Sequence, residues 1–399
     1  MPALRLGDIV AFLDRRYPPG TAEPWDAVGL IAGDPDREIR RVLLAVDPVA
    51  ETVREALEWD ADLLFTHHPL FLRGVHSVAA TTAKGRLVHD LIGGGCALYN
   101  AHTNADAASG GVAESLARVV GLSESRPIEP LPTAPLDALV TYVPVGGAGD
   151  LVDALSAAGA GAVGDYEQCA WMTDGVGQFL PGPAASPTIG AAGELTRVSE
   201  TRVEMVLPRV RREAVLAALR RAHPYEEPAF SVIELGSGAT STGTGRIGDL
   251  PASVPLRAFA QTVADALPAT AQGVRVSGDL DAPVRTVAVC GGSGGSLLDV
   301  VRERRADVYV TADLRHHPTS EAREDSRGGP PFLVDVAHWA SEWPWLPRAA
   351  ADLSADVAAA GATVETRVSE RVTDPWTARF ERASLTASAH ATPNLGAQQ

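Results

Sequence analysis

Residues 62 to 69 of the chain read DLLFTHHP, and the rest of the sequence is organised around this stretch. The apolar residues 63 to 65 are typical of a buried strand, and two adjacent histidines, His67 and His68, follow it. Neutral imidazole is the commonest protein ligand for a transition metal. Adjacent side chains at a strand end point in different directions, so the pair suits two ions better than one. Taken alone, the stretch also fits a loop with two solvated histidines.

The composition indicates a soluble globular protein with room for two or three domains in 399 residues. Hydrophobic residues make up 45% and charged residues 21%, which is ordinary for this class. The formal net charge of -16 argues against nucleic-acid and anionic-membrane partners, because phosphate groups select basic surfaces. Three scattered cysteines without CxxC spacing favour buried thiols in a reducing compartment. With no signal-peptide pattern and no apolar window near the ~20 residues that span a bilayer, we expect a cytoplasmic protein.

Strands alternate with helices at both ends of the chain, which predicts largely parallel sheet covered by helices on both faces. A proline-rich linker at residues 123 to 137 leads into two strand–helix–strand passes, the pattern of a small ferredoxin-like α+β domain. The segment TADLRHHP at residues 311 to 318 echoes THHP at residues 66 to 69, which suggests two related halves. We therefore predict an α/β fold in which two related α/β halves form one metal-binding core around an inserted α+β domain.

The predicted domain boundaries follow from these changes in composition and in the pattern of strands and helices. They are residues 1–133 for the N-terminal half of the core, 134–240 for the inserted domain, 241–376 for the C-terminal half and 377–399 for a disordered tail.

Metal-binding side chains recur just past the predicted strands, where ligands gather in open α/β sheets. They are His67, His68, Asp106, His338 and Glu342. His338 and Glu342 are four residues apart and share one face of a helix, although each residue by itself also fits a polar helix start. Together the five suit two divalent ions roughly 3.5–4 Å apart, with Asp106 as the expected bridging carboxylate. Such ligands accept zinc, iron, manganese or cobalt.

Three other motifs have two interpretations each. The CGGSGGS segment at residues 290 to 296 fits a structural turn or a phosphate site. The HPYEEP segment at residues 223 to 228 fits packing contacts or a metal site. His317, just past a predicted strand, fits a structural hydrogen bond or a general acid/base role near the metals.

Eight motifs occur in an order that resembles a known family. They are WDAVGL (25–30), THHPLF (66–71), NAHTNADAASGG (100–111), AHPYEEPAF (222–230), GTGRIGDL (243–250), CGGSGGSLL (290–298), TADLRHHP (311–318) and DVAHWASE (335–342). From about Leu6 to Trp376, this series resembles the Nif-three-like family of hexameric proteins with a dinuclear metal centre, also described as GTP cyclohydrolase 1 type 2 homologues.

The resemblance implies the same five metal ligands and a toroidal homohexamer with the metal sites facing an internal cavity. It also implies that the inserted domain sits at the openings of the ring. The family label implies a metal-dependent hydrolase that opens the guanine imidazole ring of GTP, with His317 as the proton donor. A different class of function stays open: a non-catalytic metal-binding ring that acts as a scaffold and recruits partners.

Overall fold

The computed structural model describes residues 4 to 380, and the chain divides into two compact units. One unit combines Met1–Pro130 with Ser241–Gln399, and the other is the middle segment Leu131–Thr240. The part of the predicted tail from residue 381 onward lies outside the described residues. Between residues 4 and 380, no helix is long and apolar enough to cross a bilayer.

The first part of the chain forms most of a five-stranded sheet. Its elements are α1 (Leu6–Arg16), β1 (Gly29–Ala32), β2 (Arg41–Ala45), α2 (Ala50–Glu58), β3 (Leu63–Thr66), α3 (Ala83–Gly94), β4 (Ala97–Asn100), α4 (Thr103–Ala107) and α5 (Val112–Val119). Strands β2, β3 and β4 run parallel, and β1 pairs antiparallel with β4. Every residue of β3 and β4 is buried, as expected for parallel strands covered on both faces.

The middle of the chain forms an antiparallel sheet with two helices. Its elements are β5 (Glu129–Pro132), β6 (Leu136–Pro144), α6 (Ala148–Ala157), β7 (Trp171–Phe179), β8 (Thr196–Pro208), α7 (Arg212–Ala222), β9 (Phe230–Glu234) and β10 (Ala239–Thr244). The four-stranded sheet has the order β7-β8-β6-β9, and β5 pairs with β10 where the chain enters and leaves this segment. Burial alternates along β8, the pattern of a sheet with one covered face.

The last part forms a second five-stranded sheet and completes the first one. Its elements are β11 (Arg246–Pro255), α8 (Leu256–Ala266), β12 (Arg275–Ser277), β13 (Pro283–Ser293), α9 (Leu298–Glu303), β14 (Val308–Ala312), α10 (His316–Asp325), β15 (Phe332–Val336), α11 (His338–Glu342), α12 (Trp345–Ala359) and β16 (Glu365–Val368). Strands β13, β14 and β15 are parallel, with β11 and β12 antiparallel at the two edges. The final strand, β16, pairs parallel with β2 at the edge of the first sheet.

The two five-stranded sheets share one hydrophobic core, which contains, for example, Val42 of β2 and Val310 of β14. This shared core holds parallel strands of both sheets in one unit. Polar side chains directly follow the carboxyl ends of these strands, and they are Asp47, His67, His102, Asp313 and His338. The candidate site is built from these strand ends.

The predicted mixed α/β class is confirmed. The sequence analysis did not anticipate the edge strand β16, because its residues, ETRV, alternate between exposed and half-buried positions. An edge strand needs only partial burial, so its apolar signal is weak.

In the middle unit, the Asp137 carboxylate is fully buried and accepts hydrogen bonds from Arg209 and Arg212. The bonds from Arg212 and Arg209 outweigh burial and hold the pKa of Asp137 below its ordinary value. The resulting stabilisation is therefore present above the ordinary carboxyl pKa of 3.8 and is lost as the pH falls through the lower folded-state value.

We expect Asp137→Asn to lower the local stability of β6 at neutral pH by about 2 kcal/mol, because it weakens hydrogen bonds to a charged acceptor. The measurement is hydrogen exchange of the β6 amides in the intact chain. Glu234→Gln is the matched control, because Glu234 contacts the same two arginines but its side chain is 60% exposed. The control should cost less than about 1 kcal/mol. Equal effects of the two variants would contradict the prediction.

Candidate metal centre

The strand ends bring four imidazoles and two carboxylates into one cluster. Its members are His67, His68, His102, Asp106, His338 and Glu342. Nitrogen atoms of His67, His68 and His102 lie within 4.8 Å of one another, as do ligand atoms of His68, His338 and Glu342. The five residues predicted from the sequence therefore meet in space, together with His102.

Glu342 lies at the centre of the cluster. Its Oε1 is 2.9 Å from His338 Nε2 and 3.4 Å from His67 Nε2. Its Oε2 is 3.1 Å from His68 Nε2. Asp106 Oδ1 approaches from another side, 3.7 Å from His67 Nε2. The two carboxylates thus contact different sets of imidazoles, and both contact His67.

Each imidazole uses its Nδ1 for a hydrogen bond to an oxygen outside the cluster. The bonds join His67 to the Ala101 carbonyl (2.9 Å), His68 to Asp47 (2.6 Å), His102 to Asp26 (2.9 Å) and His338 to Asp313 (2.7 Å). With the proton on Nδ1, each Nε2 keeps its lone pair for a metal ion. Such oxygen partners fix the ring orientation of metal-binding histidines and increase their basicity.

Three polar atoms of the cluster are buried without a hydrogen-bond partner in the described part of the chain. They are His67 Nε2, Asp106 Oδ1 and Glu342 Oε2. A buried polar atom left unpaired costs about 1–3 kcal/mol. Bound cations would satisfy these atoms, so the residues present fit a metal ion.

The electrostatics of the cluster also favour positive charge. Burial opposes the charged form of the two outer histidines, but Glu342 and the neighbouring aspartates outweigh it. They raise the pKa of His68 to about 10 and that of His338 to about 11. Burial likewise opposes ionisation of Glu342, yet the surrounding histidines hold its pKa well below the ordinary value. Burial, reinforced by the charge of Glu342, raises the pKa of Asp106 to about 7.

A buried aromatic residue packs against His67 of the cluster. Trp345 is fully buried, and its ring centroid lies 5.5 Å from that of His67. The indole N–H of Trp345 donates a hydrogen bond to the Tyr17 hydroxyl at 3.2 Å, which satisfies its polar atom. The His67 ring therefore has little freedom to leave its position.

The glycine-rich turn at residues 290 to 296 packs directly against the cluster. Gly292 has a φ of +62°, and a Cβ there would lie 2.5 Å from Glu342 Oε1 and 3.1 Å from His338 Nε2. The N–H of Gly292 donates to the Ser341 hydroxyl at 2.8 Å. These contacts favour the structural interpretation of the turn over the phosphate site.

The two remaining sequence motifs lie outside the cluster. His317 is exposed on α10, and its ring contacts His316 at a centroid distance of 5.2 Å. No hydrogen bond or ion pair within residues 4 to 380 connects His317 to the cluster. In the middle unit, His223 Nε2 donates to the Tyr142 carbonyl, and its Nδ1 accepts a bond from Tyr225 N. Both ring nitrogens of His223 are thus occupied by hydrogen bonds, which favours the packing interpretation of this motif over a metal site.

The sequence analysis did not name His102 as a metal ligand, and it did not single out the carboxylates that orient the histidines, which are Asp26, Asp47 and Asp313. A positional signal exists for three of the four. Asp47, His102 and Asp313 each lie one or two residues beyond a parallel strand, as His67 does. Asp26 precedes the first strand and has no comparable signal.

We expect Gly292→Ala to reduce the bound divalent metal per chain, since the added methyl group would displace Glu342 and His338. Elemental analysis of protein purified without added metal measures this content. Gly295→Ala in the same turn is the control, because a Cβ at Gly295 meets no atom within 4 Å. Unchanged metal content in the Gly292 variant would argue against a site at this position.

Comparison with known proteins agrees with the resemblance of the motif series. The model of the Duf34/NIF3 (NGG1p interacting factor 3) family matches residues 4–375. A Mycobacterium tuberculosis relative named "GTP cyclohydrolase 1 type 2 homolog" is 49% identical over 94% of this chain and 97% of its own length. A solved Bacillus cereus structure, a protein related to NIF3, is 33% identical, with a TM-score of 0.70 over 94% of this chain and 99% of that one. A solved Staphylococcus aureus structure is 28% identical, with a TM-score of 0.80 over the same shares of the two chains. The chain therefore belongs to the Duf34/NIF3 family.

Proposed function

We propose that this protein holds two divalent metal ions in the cluster and is a metal-dependent hydrolase of a nucleotide-like substrate. One observation carries the proposal: four imidazoles, each tied at Nδ1 to a fixed oxygen, converge with two carboxylates. The name of the relatives, "GTP cyclohydrolase 1 type 2 homolog", supports a nucleotide such as GTP as the substrate class.

The ions would be held by the five predicted ligands, His67, His68, Asp106, His338 and Glu342, with His102 beside them. Nitrogen and carboxylate ligands of this kind accept zinc, iron, manganese or cobalt. A bound divalent ion lowers the pKa of coordinated water toward neutrality and so supplies a hydroxide nucleophile.

Other residues would orient the metal-binding histidines, balance charge or donate a proton. Asp47 and Asp313 keep the rings of His68 and His338 oriented through hydrogen bonds of 2.6 and 2.7 Å. These aspartates also balance the positive charge that two cations would bring. A proton-donor role for His317 stays a prediction, because this residue is exposed on α10 outside the cluster.

The alternative is a non-catalytic metal-binding ring that recruits partners. The observation that favours it is a cavity of about 740 Å³ in the middle unit, lined largely by apolar and glycine residues such as Val176, Phe179 and Ile189. Wild-type protein with its native metal should be tested on a panel of nucleotides, phosphate esters and amides. Turnover that His68→Ala abolishes in a folded protein supports the hydrolase, and tight metal binding without any turnover supports the scaffold.

We also propose that the core consists of two related halves and that the middle unit is a ferredoxin-like domain. The observation for the halves is that the histidine pairs 67–68 and 316–317 both follow the middle strand of a five-stranded sheet. The strand order β7-β8-β6-β9, with helices after β6 and β8, supports the ferredoxin-like assignment. The three cysteines are free, which supports a cytoplasmic location.

Because the family model matches residues 4–375 of the chain, we expect the toroidal homohexamer that the motif series implies. Multi-angle light scattering should give a mass about six times the 41.6 kDa of one chain. A monomer at micromolar concentration would rule out this assembly.

The dinuclear character of the centre depends on its second carboxylate, Asp106. Asp106→Asn keeps the shape of the side chain but removes the charge that would hold two cations together. We expect loss of one ion per chain and a fall in turnover of about a hundredfold or more, while the fold survives. Asp90→Asn on the exposed face of α3 is the control. A variant that keeps two ions and full activity would remove Asp106 from the site.

A further inference from the structure

A basic cavity lies beside the cluster of candidate metal ligands in this acidic protein. Its volume is about 530 Å³, and its wall includes Arg275, Arg315, Arg379 and the indole of Trp376. The chain as a whole carries a net charge of -16, so the overall charge of the protein does not account for three guanidinium groups in one cavity. The lining also includes the Asp313 carboxylate, but the three guanidinium groups outnumber it, so the cavity favours an anionic ligand.

This basic cavity adjoins a second one that reaches the metal cluster. The second cavity, of about 280 Å³, is lined by His68 and His338. Both cavities share Gln272, Asp313 and Trp376 as lining residues. The two cavities therefore adjoin one another, with the arginines lining one and the histidines lining the other.

The three arginines differ in how far ion pairs and hydrogen bonds already occupy their side chains. Arg315 forms no ion pair with any residue between 4 and 380, and it is exposed. Arg275 pairs with Asp335 but leaves 59% of its side chain exposed. Arg379 donates a hydrogen bond to the Gln272 carbonyl at 3.4 Å. Guanidinium groups match the geometry of phosphate oxygens, and Arg315 is the one whose charge is not already balanced.

Trp376 offers an aromatic face where the two cavities meet. Its side chain is 68% exposed, which is unusual for so large an apolar group. The segment that carries it follows β16 and is tied to the cluster by a hydrogen bond from the Thr373 hydroxyl to Asp47. Planar heterocycles stack on such faces.

We infer that the two cavities form one substrate site for a phosphorylated heterocycle. The arginines bind the phosphate, Trp376 stacks against the ring, and the reacting bond lies toward His68 and His338. This inference rests on the proposed metal-dependent hydrolase function and specifies its substrate class.

The test is isothermal titration calorimetry on the protein as purified with its metal. The four ligands are guanosine, adenosine and their 5′-monophosphates. We expect each monophosphate to bind at least about tenfold more tightly than its nucleoside, and Arg315→Gln to remove that difference. Arg285→Gln is the matched control, because Arg285 is an exposed arginine that lines neither cavity. Trp376→Leu should weaken nucleosides and monophosphates alike by about tenfold or more.

The metal content of every variant is measured alongside, because loss of metal would mimic loss of a ligand. Equal affinity for nucleosides and monophosphates, or absence of binding by all four ligands, would overturn the inference. So would a monophosphate preference that persists in Arg315→Gln, since it would mean that Arg315 does not bind the phosphate. A preference that depends on Arg315 in a protein without hydrolytic turnover would support the site while contradicting the proposed hydrolase function.

Discussion

Hydrogen bonds at the Nδ1 atoms of four histidines are the constraint on which the candidate site depends. Without them, each imidazole ring would be free to turn, and its Nε2 would not point reliably into the cluster. Three of the four acceptors are aspartates, and the fourth is the Ala101 carbonyl at the end of β4. The same bonds therefore define the tautomer, the orientation and much of the local charge.

The fold makes these bonds possible by placing parallel strand ends of two sheets in one unit. His68 follows β3 of the first sheet and His338 follows β15 of the second, yet their Nε2 atoms are 3.3 Å apart. These two histidines are 270 residues apart in the sequence, and the hydrophobic core that the two sheets share brings them together. The glycine at position 292 then lets the backbone of β13 approach the cluster where any side chain would collide with Glu342.

Charge is distributed unevenly between the cluster and the cavity beside it. Carboxylates surround the cluster closely enough to raise the pKa values of His68 and His338 against the effect of burial. Arginines collect in the adjoining cavity instead, with Trp376 between the two regions. The cluster therefore favours a cation, and the arginine-lined cavity favours an anion.

The sequence by itself determined the α/β class and the five residues of the cluster that it singled out. Apolar runs that end in polar residues are local signals, and the four-residue spacing of His338 and Glu342 is a property of a single helix. Only the tertiary structure decided the roles of His102, Asp26, Asp47, Asp313 and Gly292, and the arginine cavity. His68 and Asp47 are 21 residues apart, and His102 and Asp26 are 76 apart. Such pairs form only when packing of strands and sheets brings distant segments together, and no local pattern in the sequence records that packing.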